Sequence, residues 1–393
     1  MTARPAILGG EPAFDPPIAF ARPTIEETGP IIESITAALH SGQITDGPLT
    51  RELEARIADR FGVENCVAVS SATVGLMLVI QALGSSGPVL LPSFTFAATA
   101  HAVAWNGLPM LFADCSSETW CLQPEHIYGD PDVVLAVHVS GNPCDVDALE
   151  RACADIGATL IFDAAHGAGS LADVEGGPRP LGGFGRAEVF SLTPTKVLSG
   201  AEGGLITTNN TALAEQLRLA RNYGNPGNYD TQFAGLNARL SEPHAALALQ
   251  SLDHLEERVH HRNETAARYR TALSELPGVT FQNVPTGARS SYKDFSVLID
   301  PDQFGCSRGV LASALAAEGV DTRTYYSPPV HRHTAYRDVQ APNLPATDQL
   351  ASRVLTLPMW SHIDLDVVDR IGAAISRIQR DADQVAALAG SRS

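Results

Sequence analysis

Between about residues 50 and 210 the chain alternates short unbroken apolar runs with longer amphipathic stretches. "CVAVS", "PVLLP", "PMLFA", "VVLAVHV", "TLIFD", "AEVFS" and "GLITT" hold consecutive apolar residues rather than apolar residues at every second position. That is the mark of strands covered on both faces. Several are separated by stretches of helical character, such as "TVGLMLVIQAL" and "DVDALERACADIG". Strand and helix in turn predict an α/β architecture: about seven strands, mostly parallel, with helices on both sides. The texture changes after "GLNARLSEPHAAL". Leu249, Leu252, Leu255 and Val259 then recur every three or four residues, one face of a long helix that ends before Pro277-Gly278. A smaller α/β unit follows, in which "KDFSVLID" and "VDTRTYY" are predicted strands and "SRGVLASALAAEG" a predicted helix. The expected division is a large domain over residues 1–250, with an N-terminal arm over about 1–30, and a small C-terminal domain over 251–393 linked to it by the long helix.

Composition narrows the partners. With 44% hydrophobic and 18% charged residues the chain reads as an ordinary soluble globular protein. A net charge of −17 argues against nucleic acid or anionic lipid as the main partner, since both require a positive field. The start, "MTARPAILGGEP", lacks a basic head followed by an apolar core, and "VGLMLVI" is far shorter than the ~20 residues of a membrane helix. A cytoplasmic protein is expected. The six cysteines show no CxxC pair and no tight zinc spacing, and several lie in apolar runs, so reduced buried thiols are expected. "HRH" at 331–333 has no carboxylate or cysteine at ligand spacing, and no metal centre is expected.

The basic residues carry the first chemical signal. Of 27 Lys plus Arg, only Lys196 and Lys293 are lysines. A chain that writes nearly every positive charge as Arg has a particular use for an amine that can lose its proton and attack a carbonyl. Lys196 sits in "EVFSLTPTKVLSGAEGG". Two other strand ends offer complementary groups. "TLIFDAAHG" ends a strand on Asp163, a carboxylate at the edge where open α/β sheets bind ligands, although a helix cap or an ion-pair partner would also suit it. "VSSATVGL" passes from strand to helix through Ser70, Ser71, Ala72 and Thr73, which suits a phosphate or an ordinary Ser/Thr cap. Together they fit pyridoxal phosphate, which needs a Schiff-base lysine, a carboxylate for its ring nitrogen and an anion cradle. Lys293, in "SSYKDF", reads as a surface charge, and "HHR" at 260–262 as a solvated helix face.

Seven segments in order, "SSATVGL", "PSFTFAATAHAV", "VHVSGNPCDVDAL", "FDAAHGAGS", "FSLTPTKVLSGAEGG", "RNYGNPG" and "GLNARLSEPHAAL", resemble the motifs of the DegT/DnrJ/EryC1/StrS aminotransferases. That resemblance implies sugar aminotransferases of the aspartate aminotransferase (type I) fold. It makes Lys196 the Schiff-base and proton-shuttling residue and Asp163 the partner of the pyridinium nitrogen. It places Phe96 on the cofactor ring, His166 by the phenolic oxygen, and Ala72, Thr73 and Ser191 at the phosphate. Asn237 corresponds to a residue contributed by the neighbouring subunit, which implies a homodimer with shared active sites. Arg239 and His331 correspond to positions near the sugar. The pattern is not kept everywhere: Ala72 replaces a usual Gly, His166 a usual Gln, Tyr223 a usual His and Leu236 a usual Tyr. The last two lie on the substrate side.

Other functions find less support. No GxxxxGK[ST] contains either lysine, and "GGFGRAE" is only a fragment of a dinucleotide fingerprint. Dehydratases of the same family carry histidine in place of the Schiff-base lysine, so Lys196 points to amine transfer. The expected activity is transfer of an amino group from L-glutamate to a nucleotide-linked keto-deoxysugar, with dTDP-4-keto-6-deoxyglucose aminated at its 4-position as the leading acceptor. A 3-keto sugar, a keto-cyclitol or a non-catalytic regulator that binds the cofactor are the alternatives.

Overall fold

The structure, a computed structural model, describes residues 4–390. All seven apolar runs become strands of one sheet: β1 (Asn65–Val69), β2 (Val89–Pro92), β3 (Met110–Ala113), β4 (Val133–Val137), β5 (Thr159–Asp163), β6 (Glu188–Ser191) and β7 (Gly204–Thr208). Their spatial order is β1-β7-β6-β5-β4-β2-β3. Only β7 runs antiparallel to its neighbours, β1 and β6. The unbroken apolar pattern has the expected cause. Alternate residues of each strand enter two separate cores, Cys66 and Ala68 of β1 on one face and Val67 and Val69 on the other. The helices covering these faces include α2 (Pro48–Phe61), α3 (Ala72–Leu83), α4 (Ala97–Trp105), α5 (Val146–Ile156) and α6 (Thr211–Ala220), while α1 (Thr28–Ser41) packs outside them on the helix that begins at Glu242.

The run predicted as one long helix is two, α7 (Glu242–Asp253) and α8 (Leu255–Leu273), parted by a non-helical His254 at φ −101° and ψ 7°. The apolar stripe survives the bend, and Leu249, Leu252, Leu255 and Val259 are all buried. A second, antiparallel sheet follows in the order β8 (Val279–Phe281), β9 (Phe295–Ile299) and β10 (Val354–Leu357). It packs under α9 (Arg308–Ala317) and α10 (Leu365–Arg380) in a third core. "KDFSVLID" and "SRGVLASALAAEG" form the predicted strand and helix. "VDTRTYY" does not form a strand. Arg323 makes one reciprocal backbone pair with Thr356, and the chain then carries Tyr325 and Tyr326 to the cavity described below. Phe14 of the N-terminal arm packs in this third core, and the arm's backbone at Ile18 bridges to Val320. No helix among the described residues is long and apolar enough to cross a membrane. All six cysteines are free and buried.

Candidate active site

At the carboxyl ends of β1, β5 and β6 the chain leaves the sheet through small residues, and these departures line one cavity of about 290 Å³. After β1, Ser71 caps α3 by accepting a hydrogen bond from the Val74 N–H at 3.2 Å, and Ala72 and Thr73 open the helix onto the cavity. This helix start lies directly on β7. A Cβ on Gly204 would stand 2.5 Å from the Ala72 nitrogen, and one on Gly75 would stand 2.8 Å from a Val189 methyl. Free backbone N–H groups and hydroxyls at a helix N-terminus form an anion cradle.

Strand β5 ends on Asp163, which is 5% exposed. The Thr99 hydroxyl donates to one carboxylate oxygen at 2.7 Å, and the Ala165 N–H donates to the other at 3.1 Å. Burial pushes its proton affinity up against the pull of these bonds and of the Lys196 charge. Phe96, at the start of α4, is 60% exposed and lines the same cavity, an unusual position for a large apolar ring unless a flat partner covers it.

Strand β6 ends on Ser191, and the loop back to β7 carries Thr193, Thr195 and Lys196 along the cavity wall. The Lys196 N–H bonds to the Thr193 carbonyl at 3.0 Å, and Gly200 N–H to the Leu192 carbonyl at 2.8 Å, which closes the loop back on itself. Lys196 is half-buried and lines the cavity. Burial, helped by the charge of Lys293, brings its amine down to about 7, against the opposing pull of Asp294 and Asp163. An appreciable fraction is therefore the free amine near neutral pH. His166 also lines the cavity, and burial with the two lysine charges depresses its proton affinity well below the usual histidine value.

Of the residues singled out in the sequence, Ala72, Thr73, Phe96, Asp163, His166, Ser191 and Lys196 share this cavity. Three do not line it within one chain. Asn237 is exposed. Arg239 donates to the Asn222 side chain at 2.5 Å and lies 5.9 Å from the Tyr223 ring. His331 is held by the Ser93 hydroxyl at 2.7 Å.

The structure corrects two surface assignments. Lys293 is 6% exposed, ion-paired to Asp294 at 2.8 Å and part of the cavity wall. The scarcity of lysine pointed to both lysines equally, and the local polar sequence "SSYKDF" obscured the second. Arg262 of "HHR" is also buried, donating to the carbonyls of Tyr292 and Lys293 at 2.9 and 3.0 Å. Tyr325 and Tyr326, the end of the segment read as a strand, are further wall residues.

The residues present fit pyridoxal phosphate. A near-neutral amine, a buried carboxylate with no ion-pair partner among the described residues, an exposed aromatic ring and a helix start surround one space. This fold and site define a pyridoxal-phosphate-dependent aminotransferase of fold type I. The model of the DegT/DnrJ/EryC1/StrS aminotransferase family matches residues 26–376, and the chain belongs to that family. It is 30% identical to the dTDP-4-amino-4,6-dideoxy-D-glucose transaminase of Shigella dysenteriae, over 91% of this chain and 97% of the relative. It is 33% identical to the erythromycin biosynthesis sensory transduction protein EryC1 of Saccharopolyspora erythraea, over 89% and 96% of the two chains. Among solved structures, DesI crystallised in the presence of its TDP-sugar product superposes with a TM-score of 0.90 at 36% identity, covering 98% of both chains.

Proposed function

We propose that the protein transfers the amino group of L-glutamate to a nucleotide-linked keto-deoxysugar, dTDP-4-keto-6-deoxyglucose at its 4-position. The observation that carries this reading is Lys196, a primary amine near neutrality in the same cavity as the buried carboxylate of Asp163. The choice of sugar is supported by the relative from Shigella dysenteriae, named for a 4-amino-4,6-dideoxy-D-glucose, and by the TDP-sugar product of DesI.

Pyridoxal phosphate, when bound, supplies a carbonyl that exchanges amines and a ring that withdraws electrons from the adjacent carbon. The chain supplies the rest. The start of α3, with Thr73 and Ser191, would hold the phosphate, and Phe96 would stack on the ring. Asp163 would keep the ring nitrogen protonated, and binding that cation would relieve the cost of its own burial. Lys196 Nζ would take the proton from the α-carbon of glutamate as general base and return a proton to the sugar carbon in the second half of the cycle. Donor and acceptor then use one cavity in turn, so ping-pong kinetics are expected.

We further assign a homodimer, because Asn237 is exposed outside its own cavity and the outer face of α1 leaves Ile32 and Leu39 exposed. The six free buried thiols suit a reducing compartment, and we assign the cytoplasm. The test is incubation with 15N-glutamate and a panel of nucleotide keto-sugars, read by mass spectrometry. Label should enter dTDP-4-keto-6-deoxyglucose. Label only in a 3-keto sugar or a keto-cyclitol would move the acceptor assignment, and no label in any sugar would end it.

A further inference from the structure

The second lysine stands in an arrangement that the reaction above leaves unused. Asp294 is 3% exposed and lines the cavity together with Lys293 and Lys196. One of its carboxylate oxygens accepts from the Lys293 ammonium at 2.8 Å. The other, Oδ2, is buried and has no hydrogen-bond partner among the described residues. Lys293 spends one of its three N–H groups on this bond, and its Nζ lies 5.4 Å from the centre of the Tyr325 ring.

The pair is also built in from behind. The Lys293 N–H donates to the Ser140 carbonyl at 3.0 Å, and the Ser291 hydroxyl to the His166 carbonyl at 2.7 Å. Buried Arg262 clamps the carbonyls of Tyr292 and Lys293 and is itself fixed by the Ser361 hydroxyl at 2.8 Å. Between these anchors Tyr292 is held at φ 44°, a left-handed backbone that a bulky residue keeps only when its surroundings impose it. A strand entrance held this firmly keeps a carboxylate with one unpaired oxygen fixed at the cavity wall.

The chemistry of the vacant acceptor selects its ligand. It needs a donor. Glutamate's carboxylates accept and Asp294 would repel them, and its one amine is the group handed to the cofactor. The cofactor's phosphate and phenolic oxygen also accept, and its ring nitrogen is matched by Asp163. A sugar hydroxyl both donates and accepts, which an ammonium beside a carboxylate answers with one group each. The pair carries no net charge, so it does not call for an ion. A cavity of about 290 Å³ admits only the reacting end of a nucleotide sugar beside the cofactor. The nearest hydroxyl is then the one next to the reacting carbonyl.

We propose that Asp294, oriented by Lys293, reads the ring hydroxyl adjacent to the keto carbon of the acceptor and so sets which sugars are aminated. This rests on the nucleotide-sugar reading above. The test uses the aminated holoenzyme in single-turnover reactions with dTDP-4-keto-6-deoxyglucose and with its 3-deoxy analogue. Each rate is normalised to the glutamate half-reaction of the same variant, which absorbs any effect on Lys196. The unsubstituted enzyme should prefer the hydroxyl-bearing sugar by ~30-fold or more. Asp294→Ala should lose most of that preference, and Asp294→Asn, which keeps a weaker, uncharged acceptor, and Lys293→Met should each lose part of it. A variant that still prefers the hydroxyl as strongly as the unsubstituted enzyme overturns the proposal. If the Ala variant does not fold, the isosteric Asn variant carries the comparison. An unsubstituted enzyme that reacts with glutamate but with neither sugar refutes the acceptor assignment itself, an outcome distinct from retained preference.

Discussion

Lys196 is a base whose folded environment favours the neutral form, burial being the main cause and the charge of Lys293 the second. Its proton affinity is about 7 folded against the ordinary 10.5, so between these values the unfolded chain holds a proton that the folded chain has lost. On this group's account the stability of the cofactor-free protein rises with pH across that window, and below it the full cost of burying the charge is present. Lys196→Met should therefore stabilise the cofactor-free protein by a few kcal/mol at low pH, each tenfold in proton affinity being worth ~1.4 kcal/mol. The gain should shrink between about pH 7 and about pH 10, as read by denaturant unfolding. The proposed Schiff-base role makes the same position decisive for activity. Lys196→Arg keeps a charge that cannot be shed, and turnover should fall ~10⁴-fold or more, as for Lys196→Ala. Asp163→Asn should leave the fold intact and cost at least ~100-fold in kcat, because a neutral ring nitrogen withdraws electrons poorly. Phe96, 60% exposed in one chain, would be an ordinary core residue by its type, and only its place on the cavity wall distinguishes it.

Helix α3 shows how tightly an element must sit for its first turn to act as a cradle. Gly75 lies against Val189 of β6, and Gly204 of β7 against the Ala72 backbone, so neither position has room for a methyl group. Gly75→Ala would raise helix propensity by up to ~1 kcal/mol. The forced contact at 2.8 Å should outweigh that gain, for a net loss of ~1–3 kcal/mol. It should also lift the helix start and weaken cofactor binding, checked by thermal unfolding and by titration with pyridoxal phosphate. The strands of the large sheet were legible because each is buried on both faces, a condition written directly in the run of residues. The small sheet was legible only at β9: no strand was expected at β8 or β10, and "VDTRTYY", with strand-like composition, gives Thr356 of β10 only one reciprocal pair before turning to the cavity. Local propensity does not report which neighbour wins a sheet edge.

For the molecule as a whole, the proposed homodimer with shared active sites makes a distinctive expectation. Lys196→Ala and Asn237→Ala homodimers should each be weakly active or inactive. Mixed under conditions that exchange subunits, they should recover roughly a quarter of native activity, since half the dimers are hybrids and one of their two sites is intact. No recovery on proven exchange would mean that Asn237 serves its own chain. At this scale the division between what was readable and what was not follows from distance along the chain. Asp163, Ala72, Thr73 and Lys196 each stand at or just past the end of an apolar run, where an α/β sheet places its ligands, so order and residue type pointed to them, while Ser191 and the individual roles came from the family resemblance. Lys293 and Asp294 come about a hundred residues later, at the mouth of a different sheet, in a stretch whose polarity is that of a surface. Their burial exists only because Arg262, Ser140 and His166 converge on that loop from three separate elements. Periodicity reports which face of an element is covered. Which elements meet across a cavity is settled by the packing of the whole chain.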